Sequence, residues 1–199
     1  MEKLSKTKKV LILLGICAAV FIILDFNYFW ANLKLIFHGQ KQSYRSAVQA
    51  PAVQEKMEPN LLIIDSLGIS VPVVYVDQAN ETVFQAALVN GVVHYPGTAN
   101  PGQLGNCYIF GHSSDYIWSK GHYKSIFAVL PSISKGAEII ISDSQGNKFT
   151  YIVTDSHEVA ANDVSVLSQQ DYKKKLLTVQ TSYPVGTALA RWVAIAEMQ

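Results

Sequence analysis

At 199 residues, 49% of them apolar and 16% charged, the chain is long enough for one domain with a sizeable core and too apolar to be disordered by default. Its net charge of +1 offers no basic face for nucleic acid, and two cysteines far apart, Cys17 and Cys107, argue against a disulfide framework.

The first nine residues carry Lys3, Lys6, Lys8 and Lys9 against Glu2. Val10–Leu24 then holds no charge. Continued to Trp30, the stretch is 21 residues long, about 31 Å of helix, which matches a hydrocarbon core. Asp25 falls near one interface, and Tyr28, Phe29 and Trp30 form an aromatic anchor beside it. A cleaved signal peptide shares the basic start, but Asp25–Trp30 is bulky where a cleavage site needs small residues. Bulky Ile16 before Cys17 argues against lipidation. The expectation is a single-pass membrane protein, with residues 1–9 cytoplasmic, 10–30 a transmembrane anchor, 31–59 a juxtamembrane stalk interrupted by Pro51 and Pro59, and 60–199 an extracellular domain.

Within that domain, short β-branched and apolar runs recur between Gly, Pro, Asn and Ser clusters: Leu61–Asp65, Val71–Val76, Leu104–Gly111, Ala137–Ser142, Lys148–Thr154, Leu176–Ser182 and Trp192–Glu197. Their number predicts a mainly β domain, a closed or nearly closed barrel. Helical spacing in Glu81–Val89 and Tyr123–Leu130 predicts two short helices.

The stretch Leu176–Pro184 is the most informative. Val179 and Thr181 alternate with Thr178, Gln180 and Ser182, and Tyr183-Pro184 forces a turn. Ser182 therefore ends a strand. Arg191, the only arginine after Arg45, opens the run that returns beside it, and His112 ends another apolar run.

Other motifs carry less. Gly111–Asp115 lacks the closing glycine of a G-x-S-x-G elbow, and the chain lacks the strand–helix alternation that fold needs. Ser132–Lys135 matches S-x-x-K without its companion motifs and reads as a turn. His38, His94, His112, His122 and His157 show no ligand spacing for zinc, and His94 in its Tyr-Pro-Gly context reads as structural. Cys107 lies about 16 Å of extended strand before His112, so the two cannot meet within that strand, and it reads as a buried cysteine.

Four segments together resemble the successive signature blocks of the sortases. They are L-G-I-S-V-P-V-V (Leu67–Val74), G-V-V-H-Y-P-G-T-A (Gly91–Ala99), G-N-C-Y-I-F-G-H-S-S (Gly105–Ser114) and L-T-V-Q-T-S-Y-P (Leu177–Pro184) with the following Arg191. The similarity spans residues 60–199, and the anchor resembles that of membrane-tethered sortases of the class D and E kind. The resemblance implies a closed eight-stranded β-barrel that cleaves a C-terminal sorting signal of secreted proteins, holds the acyl group on the enzyme and passes it to an amine of the cell wall or of a pilin. It implies catalytic roles for His112 and Arg191, and places Ser182 where the family has its cysteine. It implies no cofactor and leaves calcium modulation open.

The serine matters chemically. A thiol can be held as thiolate beside a histidinium, whereas a hydroxyl needs a neutral histidine as general base, usually oriented by a carboxylate; Asp115 is the only nearby acid in sequence. The resulting expectation is an impaired transpeptidase, with Ser182 either an introduced, inactivating substitution that traps substrate or a natural serine that supports weak chemistry. Its alternative is an inactive, membrane-anchored pseudo-sortase that binds sorting signals or scaffolds surface-protein assembly.

Overall fold

A computed structural model of the protein describes residues 56–115, 120–169 and 173–199. The segments expected to be cytoplasmic, membrane-spanning and stalk, up to residue 55, lie outside them. Among the described residues, no helix is long and apolar enough to cross a membrane.

Among the described residues, eight strands form: β1 (Leu61–Ile64), β2 (Ile69–Tyr75), β3 (Val92–His94), β4 (Gly105–Phe110), β5 (Glu138–Ser142), β6 (Lys148–Ala160), β7 (Lys175–Tyr183) and β8 (Ala190–Met198). They close into a barrel in the order β1-β2-β3-β4-β7-β8-β6-β5, as the resemblance implied. The β2–β3 and β4–β7 pairs are parallel and the rest antiparallel. A parallel pair cannot be joined by a tight turn. Between β2 and β3 the crossover is a single helix, α1 (Glu81–Leu88), close to the span read from its spacing. Asn80 caps it by accepting the Thr82 N–H at 2.9 Å.

Alternation along the strands fills the barrel. Leu62, Val71, Ile109, Ile139, Tyr151, Leu177, Val179 and Ala194 point inward and are buried, as side chains in a small barrel must be to exclude water. The Tyr151 hydroxyl, carried into this core, accepts the Gly102 N–H at 2.8 Å.

Three differences from the sequence reading have physical reasons. Strand β3 is only three residues long and buried throughout, so it shows no alternation to detect. Strand β6 runs on through the polar Asp155–Glu158 to Ala160, because β8 supplies its ladder and a bulge between Val153 and Asp155 absorbs the mismatch. The helix expected over Tyr123–Leu130 does not form. That segment is a chain of i→i+3 turns, Ile126 N–H to Tyr123 O, Ala128 N–H to Ser125 O and Leu130 N–H to Phe127 O, ending in a single 3-10 turn, Leu130–Ser132. Pro131 has no N–H to donate, and its ring would clash with the carbonyl four residues back. Its helix-like spacing instead reflects a plug: Phe127 and Leu130 are fully buried across one mouth of the barrel.

Ser132 Oγ donates to the Val129 carbonyl at 2.7 Å inside that turn, so the S-x-x-K pattern there is turn chemistry.

Candidate active site

Ser182, the penultimate residue of β7, is the direct antiparallel partner of Arg191, the second residue of β8. Such partners have Cα atoms about 4.5–5.5 Å apart. On the other side of β7 runs β4, with Phe110 opposite Gln180. The connection continues past the strand end: Gly111 N–H donates to the Gln180 carbonyl at 3.1 Å, and Thr181 Oγ1 donates to the Gly111 carbonyl at 2.8 Å. His112 is the next residue and so leaves β4 alongside Ser182. The structure thus brings His112, Ser182 and Arg191 into one row across three adjacent strands.

Alternation decides which way they face. Cys107 and Ile109 on β4, Leu177 and Val179 on β7, and Ala194 and Ala196 on β8 lie in the core. By the two-residue period, Tyr108, Phe110 and His112, Gln180 and Ser182, and Arg191 fall on the outer face. All three row residues are half-buried, as groups in a cleft are.

Gly111 fixes the position of His112. A Cβ there would sit 2.8 Å from both Phe127 Cδ2 and Val92 Cγ1, too close for any side chain. The plug thereby presses against the backbone, and the Phe127 N–H holds the His112 carbonyl at 3.0 Å.

The electrostatics suit a hydroxyl nucleophile. Desolvation depresses the His112 pKa and outweighs the attraction of the Asp115 and Glu81 carboxylates, so the imidazole is neutral at pH 7 and can accept a proton. Arg191 Nη1 donates to the Ala188 and Ala190 carbonyls at 3.1 and 2.9 Å, which anchors the guanidinium to its own turn. Beneath it, the Tyr108 hydroxyl donates to Gln180 Oε1. Burial drives the Tyr108 pKa far up, with the Arg191 charge pulling against it, so that phenol stays protonated and remains a donor.

The remaining candidates sort by burial. His94 is buried at the end of β3, where its Nε2 lies 2.9 Å from the Ala99 carbonyl and its ring stacks on Tyr75, so it is structural. Cys107 is fully buried and burial pushes its thiol pKa up, which leaves it without thiolate character. Among the described residues, no group of three or more His, Cys, Asp or Glu side chains is placed to hold a metal ion.

Sequence reading missed several groups. Thr181 is fully buried and ties β7 to Gly111, and Ser113, buried next to His112, has a hydroxyl without a protein partner. Phe84, Tyr95, Phe110 and Tyr108 form an edge-to-face cluster between α1 and β4, with Phe84–Phe110 centroids 4.9 Å apart and Tyr95–Tyr108 centroids 6.1 Å apart. The period of two along β4 marked Tyr108 and Phe110 as outward. Only the tertiary packing brings Phe84 and Tyr95 to them.

A family model described as a sortase domain matches residues 62–199. No curated protein matches the chain by sequence. Among solved structures, the barrel is similar to the sortase D5 transpeptidase of Clostridium perfringens, at 23% identity and a TM-score of 0.57 over 70% of this chain and 77% of that one. It is also similar to sortase C-1 of Actinomyces oris, at 23% identity and a TM-score of 0.58 over 70% and 72% of the two chains. Sortase E of Streptomyces avermitilis gives 24% identity and a TM-score of 0.54 over 71% and 88%. At such identities these structural likenesses carry the fold alone.

Proposed function

The chain belongs to the sortase family, and on that premise we propose that it is a transpeptidase that cleaves a C-terminal sorting signal of secreted proteins and passes the acyl group to an amine of the cell wall or of a pilin, slowly, because its nucleophile is a serine. The observation that carries this reading is the row itself: Ser182 paired with Arg191 on one side and flanked by His112 on the other.

The steps follow from that geometry. Ser182 Oγ attacks the scissile carbonyl while its proton passes to neutral His112. The Arg191 fork donates to the developing oxyanion. As the tetrahedral intermediate collapses, His112 returns the proton to the departing amine, leaving an ester on Ser182. The acceptor amine then attacks that ester, His112 takes its proton and gives it to Ser182 Oγ, and an amide is released. A thiol is the stronger nucleophile and the better leaving group, so the hydroxyl slows this sequence.

The test compares the Ser182 protein with Ser182→Cys and Ser182→Ala on a panel of sorting-signal peptides with an amine acceptor. The expected result is slow transpeptidation by the Ser182 protein, faster turnover by Ser182→Cys and none by Ser182→Ala. Mass spectrometry should find the acyl group on the Ser182 peptide. Binding without turnover by both the serine and cysteine forms would overturn the enzymatic reading in favour of a module that only holds sorting signals.

A further inference from the structure

On the outer face of the barrel, burial changes abruptly along β4 and β7. Tyr108 and its partner Thr178 are 2% and 3% exposed, whereas one rung nearer the rim Phe110 and its partner Gln180 are half-buried, as are His112 and Ser182 beyond them. The connection from β6 to β7 is tied down behind the buried rung, at Asn106, whose Nδ2 donates to the Val166 carbonyl and whose Oδ1 accepts Thr178 Oγ1. On the β8 side, Val193 opposes Gln180, shares its face and is fully buried. A peptide seated on Ser182 and running back along β7 therefore meets open floor at Gln180 and Phe110, with Phe84 packed against Phe110 as a wall.

Gln180 stands in this floor as an oriented amide. The buried Tyr108 hydroxyl donates to its Oε1. That phenol is itself held, with its ring edge-to-face on Tyr95. An O–H donor at Oε1 decides which end of the amide faces the tyrosine, so the two N–H groups of Nε2 point elsewhere. Among the described residues, none accepts a hydrogen bond from that nitrogen, and it is not sealed from solvent.

We propose that Gln180 is a substrate-binding residue of the transpeptidase, donating from Nε2 to the peptide's main-chain carbonyl two residues before the scissile bond, and that Tyr108 is the residue that positions it. Gln180 and Ser182 share a face two residues apart, about 6.5 Å along the strand, and an extended peptide has the same rise. A peptide whose scissile carbonyl lies at Ser182 thus brings its carbonyl two residues upstream to Gln180. With Oε1 engaged by Tyr108, the amide offers donors, which match a carbonyl and not an N–H. The inference rests on the reading above for the identity of the peptide, but not on turnover.

The competing role is a plain bridge between β4 and β7. Gln180→Glu separates the two, because a carboxylate still accepts from Tyr108 yet has no N–H to give.

The test titrates the full-length Ser182→Ala protein, nitrogen-15 labelled and in detergent, with the same panel of sorting-signal peptides. The side-chain amide signals of Gln180, assigned by their loss in Gln180→Ala, should shift saturably. Gln180→Ala and Gln180→Glu should each weaken binding about 3- to 10-fold, and to a similar degree for every peptide that binds, since all carry the carbonyl. Tyr108→Phe, which keeps the ring, should weaken it about threefold through the freed amide. In the Ser182→Cys background all three changes should raise KM more than they lower kcat. Saturable binding without a shift at Gln180, Gln180→Glu binding as tightly as its parent, weakening confined to peptides with one particular side chain, or no saturable binding at all overturns the proposal. Shifts at Gln180 without turnover by either the serine or the cysteine form leave it standing and remove the transpeptidase reading. Turnover by Ser182→Cys that Gln180→Ala leaves untouched does the reverse.

Discussion

At the scale of single residues, Arg191 separates charge from geometry. Its Nη1 is occupied by the Ala188 and Ala190 carbonyls, which fixes the plane of the guanidinium beside Ser182 while leaving the fork's other N–H groups to define a direction. A lysine keeps the charge and can reach the same carbonyls, but it presents a point charge with no second donor in plane. In the Ser182→Cys background, Arg191→Lys should therefore lower kcat on the order of 10²-fold, the loss typical of one oxyanion donor. Thermal stability should move by less than about 0.5 kcal/mol. Steady-state kinetics and a melting curve on the same preparation check both halves. An unchanged kcat would remove Arg191 from the oxyanion, and a collapsed melting temperature would make it a structural residue. His112 has the complementary feature: desolvation depresses its pKa, which favours the neutral imidazole that can take a proton from a hydroxyl.

At the scale of elements, the connection from β6 to β7 is fastened to the outer face by one side chain. Gln169 Oε1 accepts the N–H groups of Ala99 and Asn106 at 3.2 and 3.1 Å, and its Nε2 donates to the carbonyls of Asn106 and Leu167 at 2.8 and 3.1 Å. The amide thus acts as an extra rung beside β4. Gly105, at φ +112°, makes room for it, because a Cβ there would lie 2.9 Å from Gln169 Oε1. Asn106 completes the fastening by donating to the Val166 carbonyl at 3.0 Å and accepting Thr178 Oγ1 at 2.9 Å. Strand β6 ends at Ala160, opposite Ala190 and next to the Val159–Arg191 pair, so the connection leaves from the row's end of the barrel before Gln169 fastens it at Asn106; the Asp163 charge is among those that raise the Tyr108 pKa, after desolvation. Gln169→Ala should destabilise the fold by about 1–3 kcal/mol, the cost of orphaning these backbone groups. In the Ser182→Cys background it should raise KM for a sorting-signal peptide with kcat retained, and hydrogen exchange should rise across residues 161–169. A fall in kcat with unchanged exchange would contradict this. None of it was legible in the sequence, where Gln169 is one polar residue in a loop. What was legible were runs long enough to alternate, which gave seven of the eight strands and the strand-end positions of Ser182, Arg191 and His112. Strand β3 escaped because three buried residues have no period, and Tyr123–Leu130 misled because a plug and a helix bury the same spacing.

At the scale of the whole molecule, two histidines are taken partly or wholly out of water, His94 buried at the end of β3 and His112 half-buried beside Ser182. Desolvation lowers the pKa of each, outweighing the Ala99 hydrogen bond at His94 and the Asp115 and Glu81 charges at His112. A histidine whose folded pKa lies below its unfolded value of about 6.5 resists protonation in the folded state. Its contribution to stability is therefore complete above about pH 6.5 and is lost as pH falls from there toward the folded pKa. Asp143, also depressed, loses its contribution only below the ordinary carboxylate range near 3.8, in a separate and more acidic window. The melting temperature should accordingly hold level at neutral pH and begin to fall as pH drops below about 6.5, above the ordinary carboxylate range. Since His94 can donate from Nε2 to the Ala99 carbonyl, a glutamine offers a comparable N–H without a titrating group. Calorimetry on the parent protein and on His94→Gln from pH 7.5 to 4.5 checks the assignment. The variant should keep its barrel and show a shallower fall in the upper window. A melting temperature that is flat through that window in the parent protein, or one that falls identically in both, would place the acid sensitivity elsewhere than at His94.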